Sequence, residues 1–223
     1  DVYEGAPTSV TAFMAAATKA AAFAVLLRVV WTVLPALGVR WQDGLAVLAV
    51  ATMLVGNLGA LVQSRLKRML AYSAIAHAGY LLVPVLVGGD AGVSATLYYL
   101  VVYAAMTLGA LAVVVVLGRP GADGRHDVDL DDLRGLARRH GVLAAAFALF
   151  LLGLTGLPPT AGFLGKWYVF QAAVGGGYAW LAVAVVVNSV LSAFYYLRPV
   201  VYLYAGEAAD PNEDARAMRV HLP

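Results

Sequence analysis

The sequence contains no cysteine. That excludes disulfides and removes the thiolates on which iron–sulfur clusters and many zinc sites depend. Charge is scarce too: 13% of the residues are Asp, Glu, Lys or Arg, against about a quarter in an ordinary soluble domain. A net charge of +2 leaves no basic footprint for nucleic acid. The four histidines, His77, His126, His140 and His221, lie far apart and make no metal-ligand spacing. No basic leader opens the chain, because DVYEGAPTSV is acidic and polar, and an opening Asp in place of Met is expected of a chain that begins within a longer protein. The apolar runs do not alternate with polar residues, which argues against strands, and a sheet in lipid must close into a barrel. No cofactor, metal or redox centre is therefore expected in this chain itself.

What is present is apolar length. Hydrophobic residues make up 62% of the chain, and the mean hydropathy is +0.80. About 20 helical residues span the ~30 Å of bilayer hydrocarbon, and six spans can be placed, near 8–34, 43–63, 67–88, 93–118, 142–174 and 178–204. The expected fold is an all-α, polytopic transmembrane bundle. With six spans the loops alternate between two sides. One side collects Arg65, Lys67, Arg68, the arginines of the polar stretch 119–141, and Arg216 and Arg219; the other receives Arg40 alone. The positive-inside rule then puts residues 1–7, the 119–141 loop and the tail 206–223 in the cytoplasm. Within that loop, DVDLDDLRGLARRH (127–140) carries acids early, bases late and leucines at 130, 133 and 136. The pattern suits a short interfacial helix, and a solvated, partly helical connector is the other reading.

The fifth span is too long for its task. As one straight helix, residues 142–174 would measure roughly 50 Å, and tilt absorbs only part of the excess. Within it, GLPPTAGFLG (156–165) supplies two prolines and three glycines, which predict a broken helix near 156–162 that resumes carrying Lys166. Irregular backbone at membrane depth persists only where protein or a wet cavity surrounds it, and transporters use such breaks to aim backbone dipoles at an ion site. A lysine at mid-bilayer costs roughly 2.5–3.5 kcal/mol on insertion scales. A low-dielectric setting disfavours any charged form, so an amine in a hydrated seam can exchange a proton at modest cost. Snorkelling to a headgroup is the plainer alternative for Lys166.

Lys19 lies deeper by the same measure, with about a dozen residues before it and some fifteen apolar ones after it. The plainer reading is a structural lysine paired with a carboxylate from elsewhere, since no Asp or Glu falls within the apolar spans. His77 shares a polar stripe with Ser73, Tyr72 and Tyr80, and is as readily an interhelical hydrogen-bonding residue as a proton carrier. Lys67, beside Arg65 and Arg68, reads as a topology anchor at the membrane edge. Arg28 and Arg198 sit in the outer thirds of their spans, where snorkelling or ion pairing accounts for them.

Three stretches carry a family resemblance: DVYEGAPTSVTAFMAAATKAAAF (1–23), SRLKRMLAYSAIAHAGYLL (64–82) and GLPPTAGFLGKWYVF (156–170). They resemble the N-type members of the antiporter-like membrane subunits of the proton-pumping NADH-quinone oxidoreductases, the respiratory complex I enzymes, over essentially the whole chain. The resemblance implies two inverted five-helix repeats, each with a broken helix bearing a lysine, joined by a polar chain at the membrane mid-plane. On this pattern Lys166 matches the broken-helix lysine of the second repeat, Lys19 the lysine on the helix closing the first, and His77 lies on the helix after the basic loop. The helix 93–118 has no titratable group except tyrosines, which favours the N-type member over its sisters. Residues 1–42 would be the last helix of the first repeat with its loop, 43–205 the second repeat with broken helix 142–174 and loop 119–141, and 206–223 a tail.

The family's first broken helix would precede Asp1 and a last helix would follow the tail, so a half of this kind is not expected to pump alone. The resemblance implies a proton-translocating subunit in a bacterial plasma (inner) membrane, with other membrane-arm subunits as partners and NADH and quinone engaged only through other chains. Lys19, Lys166 and His77 are its expected proton relay. A cation/proton secondary antiporter outside a redox complex is the alternative, and a purely structural membrane scaffold the third reading. The alanine, valine and arginine bias fits a GC-rich bacterial genome.

Overall fold

The computed structural model describes residues 2–37, 41–120 and 126–205. Helices α1 (Val2–Gly5) and α2 (Thr8–Phe13) lead through a π-helical segment (Met14–Thr18) into α3 (Lys19–Thr32), and a 3-10 turn (Pro35–Leu37) follows. Then come α4 (Gln42–Leu61), α5 (Leu66–Val87) and α6 (Gly89–Leu117). A short antiparallel pairing of Arg119 with Asp127 and Pro120 with His126 precedes a 3-10 turn (Asp131–Leu133) and the single turn α7 (Leu136–Arg139). The chain continues as α8 (Gly141–Thr155), α9 (Ala161–Gly175) and α10 (Ala179–Tyr204). The all-α expectation holds.

Among the described residues, five helical stretches are long and apolar enough to cross a bilayer: Thr8–Thr32, Gln42–Leu61, Leu66–Val87, Gly89–Leu117 and Ala179–Tyr204. Where a sixth span was expected, the chain forms the pair α8 and α9, 15 residues each, and neither half alone has the ~20 residues a crossing needs. Helix α5 is the spine. It is apolar on nearly every side, the pattern of a helix enclosed by others, and α4, α6 and α9 pack around it. Gly56 of α4 lies against Ala76, and Gly79 against Ala49 and Met53; small residues at such contacts let helix backbones approach closely. Large apolar side chains such as Val47, Val55, Val101, Val183 and Phe194 face outward, which suits helices surrounded by hydrocarbon.

The segments assigned to one side by loop alternation meet at one end of the bundle. Glu4 pairs with Arg65 at 3.1 Å and Arg68 at 3.3 Å. The Leu66 amide donates to the Val128 carbonyl and the Leu130 amide to the Ser64 carbonyl, each at 3.0 Å. Lys67, expected as a topology anchor, lies at this same end and is covered by residues 2–7. It is 2% exposed and donates to the Glu4 carbonyl at 2.9 Å and to the Ala6 carbonyl. Arg40, Arg125 and the tail 206–223, with Arg216 and Arg219, lie outside the described residues.

The 127–140 segment shares with its second reading only the partial helix, because its leucines pack on the bundle and are not solvated. Gly135 adopts the left-handed conformation (φ 68°), after Arg134 has already left helical geometry at ψ 124°. One helix therefore cannot run through, and two separate turns result. Leu130, Leu133 and Leu136 are all buried against the bundle, so the apolar stripe packs on protein.

Replacing Lys67 with Met keeps the stem and deletes the ammonium, leaving the Glu4 and Ala6 carbonyls short of a donor. An unsatisfied buried polar group costs about 1–3 kcal/mol. The variant is expected to lose stability of that order and to exchange amide hydrogens faster in residues 2–7, as read by hydrogen–deuterium exchange; unchanged exchange there would refute the contact's role.

Candidate functional site

The break is built from the residues that predicted it. Gly156 ends α8 at φ 82°, a left-handed angle open to glycine. Its amide and that of Leu157 turn back to the Leu152 carbonyl at 3.1 and 3.3 Å. Pro158 and Pro159, joined by a cis bond, cannot donate. Thr160 then caps α9, its hydroxyl accepting from the Phe163 amide at 3.3 Å. The non-helical residues are 156–160, inside the expected window. Gly162 lets the two halves touch: a Cβ there would stand 1.8 Å from the Gly153 carbonyl oxygen.

Lys166 uses what the break leaves free. In a continuous helix the Thr155 carbonyl would accept from residue 159, but Pro159 has no N–H. Lys166 Nζ donates to that carbonyl at 2.7 Å, with Ser192 Oγ at 3.3 Å. The last carbonyls of α8 carry the negative end of its dipole, where a cation is favoured. The nitrogen also lies 4.9 Å from the Tyr80 ring centre. Lys166 is buried and packed among protein groups, so the snorkelling alternative does not describe it.

Lys19 opens α3 directly after the π-helical segment, a widened turn that re-aims side chains. Its nitrogen donates to the Ala74 carbonyl at 2.6 Å and the Tyr103 hydroxyl at 3.1 Å. Its partners are thus a carbonyl and a phenol, with no carboxylate among them. It also borders a groove of about 490 Å³ that Tyr3, Glu4, Arg68 and Tyr72 help to line.

His77 sits between the two amines. Its Nδ1 meets the Tyr99 hydroxyl at 2.8 Å and its Nε2 the Tyr196 hydroxyl at 3.0 Å. The Tyr196 hydroxyl also bonds Ser73 Oγ, and the Tyr103 ring lies 4.8 Å from the imidazole, centre to centre. A second cluster flanks Lys166. Asn57 Nδ2 donates to Asn188 Oδ1 at 2.9 Å, and the Tyr195 hydroxyl to Asn57 Oδ1 at 3.0 Å. The Tyr80 hydroxyl points at Asn57, Ser189 and Ser192 without a hydrogen bond of normal geometry. Beside Lys166 lies a small cavity of about 10 Å³, lined by His77, Tyr99, Tyr103 and Lys166 among others, at the lower limit of what holds one water.

The structure therefore brings Lys19, His77 and Lys166 into one polar seam. Arg28 stays exposed, and Arg198 lies 6.0 Å from the Tyr202 ring centre, outside the seam. Tyr80 belongs to the His77 stripe expected from the sequence, whereas Tyr99, Tyr103, Tyr195 and Tyr196 are partners that the fold adds. Tyr99 and Tyr103, four apart on α6, share one helix face, and that spacing was the available signal. No group of three or more His, Asp or Glu that could hold a metal occurs among the described residues.

Comparison with known proteins gives three findings. Residues 1–192 match the family model described as NADH:quinone oxidoreductase/Mrp antiporter, transmembrane. The chain is similar to proteins called NADH-quinone oxidoreductase subunit N: it is 50% identical over 204 residues to that of Trichlorobacter lovleyi (92% of this chain, 41% of that protein), and 52% identical over 216 residues to that of Desulfovibrio desulfuricans (94% and 43%). It thus spans less than half the length of the curated relatives it matches. Among solved structures it is similar to a chain of respiratory complex I from Thermus thermophilus with bound aureothin, with TM-score 0.78 and 40% identity over 97% of this chain and 47% of that one. It is also similar to a chain of the Mrp complex from Dietzia sp., with TM-score 0.81 and 25% identity over 93% and 38%.

A Gly162→Ala variant must push α9 away from the Gly153 carbonyl, and overpacking of this kind costs about 1–3 kcal/mol. It is expected to lower the thermal unfolding midpoint of the detergent-solubilised protein. Gly175→Ala, where the new methyl meets nothing within 4 Å, serves as the reference; equal midpoints for the two would contradict the close approach.

Proposed function

This chain belongs to the NADH:quinone oxidoreductase/Mrp antiporter transmembrane family, and on that premise we propose that it translocates protons as part of an N-type subunit of a proton-pumping NADH-quinone oxidoreductase. In this reading NADH and quinone react in other chains, other membrane-arm subunits are its partners, and the complex sits in a bacterial plasma membrane with the basic-loop end in the cytoplasm. Residues 43–205 form the second five-helix repeat, residues 1–42 close the first, and six spans cross the bilayer. Lys19, His77 and Lys166 form the relay.

The observation that carries the reading is the Lys166 ammonium on the orphaned Thr155 carbonyl, inside a seam that reaches Lys19. An amine held by one carbonyl and one hydroxyl, with no counter-ion, is poised to give up its proton and take one back. Redox work in partner chains needs only to bias which amine is charged.

The Mrp likeness supports a second reading, a cation/proton antiporter. Identities of 50% and 52% to the N subunits against 25% to the Mrp chain favour the first. A sodium gradient that drove protons without NADH or quinone would reverse that preference.

In inverted vesicles, Lys166→Ala and Lys19→Ala should each lower the protons moved per NADH oxidised. Loss of a positioned proton-transfer group costs about 10²–10⁴-fold in the step it serves, so transfer through this chain should fall by at least ~10²-fold. Unaltered stoichiometry in both variants would sink the relay.

A further inference from the structure

We infer that Tyr103 is a relay residue, the hydroxyl through which Lys19 exchanges a proton with the cavity that Lys166 lines. The inference rests on the proton-translocation reading above and adds a residue to it.

The two lysines do not contact each other, so something must carry a proton between them. Of the two groups that Lys19 Nζ meets, the Ala74 carbonyl only accepts and can pass nothing on. The Tyr103 hydroxyl, 3.1 Å away, both accepts and donates. Tyr103 also lines the small cavity shared with Lys166, Tyr99 and His77. One phenol thus touches the first amine and faces the space in front of the second.

Two other routes to Lys166 end in acceptors. Ser192 Oγ sends its proton to the Ser189 carbonyl at 2.7 Å, and Asn57, Asn188 and Tyr195 close a cluster on amides, whose N–H protons are not released. Glu4 lines the groove that Lys19 borders, and its carboxylate is engaged by Arg65 and Arg68. Helices α5, α9 and α10 contain no carboxylate, and α4 and α6 carry only Asp43 and Asp90 in their first turns.

The step balances without a phenolate. The Lys19 ammonium gives a proton to the Tyr103 oxygen as the Tyr103 hydroxyl proton leaves through one cavity water to the Lys166 amine. Lys19 ends as an amine, Lys166 as an ammonium, and Tyr103 and the water are regenerated. Rotation of the hydroxyl resets the link. The His77 ring, 4.8 Å from the Tyr103 ring and hydrogen-bonded at both nitrogens, lines the same cavity and serves the relay beside this link.

The test is Tyr103→Phe in the full protein within its membrane complex, since it removes the hydroxyl and keeps the ring against His77. Protons moved per NADH oxidised should fall as far as in Lys19→Ala, with assembly and the thermal midpoint unchanged. Because the two residues act in series, the double variant should be no worse than Lys19→Ala alone. Tyr98→Phe, which deletes a phenol on the same helix that packs edge-on against Tyr168 outside the seam, should leave the ratio intact. A Tyr103→Phe protein that pumps fully while Lys19→Ala does not overturns the link and spares the relay reading. An additive double variant, or an equal loss in Tyr98→Phe, also overturns the link. Full pumping in both lysine variants would overturn the relay reading itself.

Discussion

The contact between the Lys166 ammonium and the Thr155 carbonyl is the constraint on which the rest of the site depends. Pro159, three residues after Gly156, frees that carbonyl, and at membrane depth a free carbonyl is costly unless something donates to it. An ammonium at the same depth is costly unless something accepts from it. Each group answers the other's deficit, so neither prolines nor lysine is tolerable alone. Gly156 and Gly162 belong to the same solution. The first allows the left-handed exit from α8, and the second lets α9 overlap α8 closely enough for the lysine to reach back.

The seam around that contact is made of hydroxyls, amides and one imidazole, with amines as its only formal charges. Such a network is stable only when nearly every member finds a partner. Here the partners come from distant parts of the chain: His77 from α5 meets Tyr99 from α6 and Tyr196 from α10. The rigid parts of the fold are what hold them. Close packing of α4 on α5 through small residues, and the Glu4, Arg65 and Lys67 contacts at the basic-loop end, fix the spine from which both lysines take their bearings.

That division explains what could be read from residues alone. The break at 156–160 was legible because proline and glycine act locally, through one missing amide and one backbone angle. The depth of Lys19 and Lys166 was legible because it depends on counting apolar residues. The partners were not. Tyr103 sits in an apolar run marked only by Tyr99 four residues earlier, and its contact with Lys19 spans 84 residues. Lys67 looked like an interfacial anchor since its neighbours Arg65 and Arg68 are charged; only the fold of residues 2–7 over it makes it buried. The connector at 127–140 had helical charge order and leucine spacing, and a single residue, Gly135, overrode both.

Helix α5 also sets the scale of the chemistry. Lys19 is fixed on the Ala74 carbonyl and Lys166 beside the Tyr80 ring, six residues further along. Those two points of α5 are separated by roughly 9 Å of helix rise at 1.5 Å per residue. Like charges in a low-dielectric setting repel, so in the proposed relay charge on one amine opposes charge on the other. A single proton shared between the two sites is the arrangement the proposal requires, and an electrostatic change in a partner chain would then bias which amine holds it.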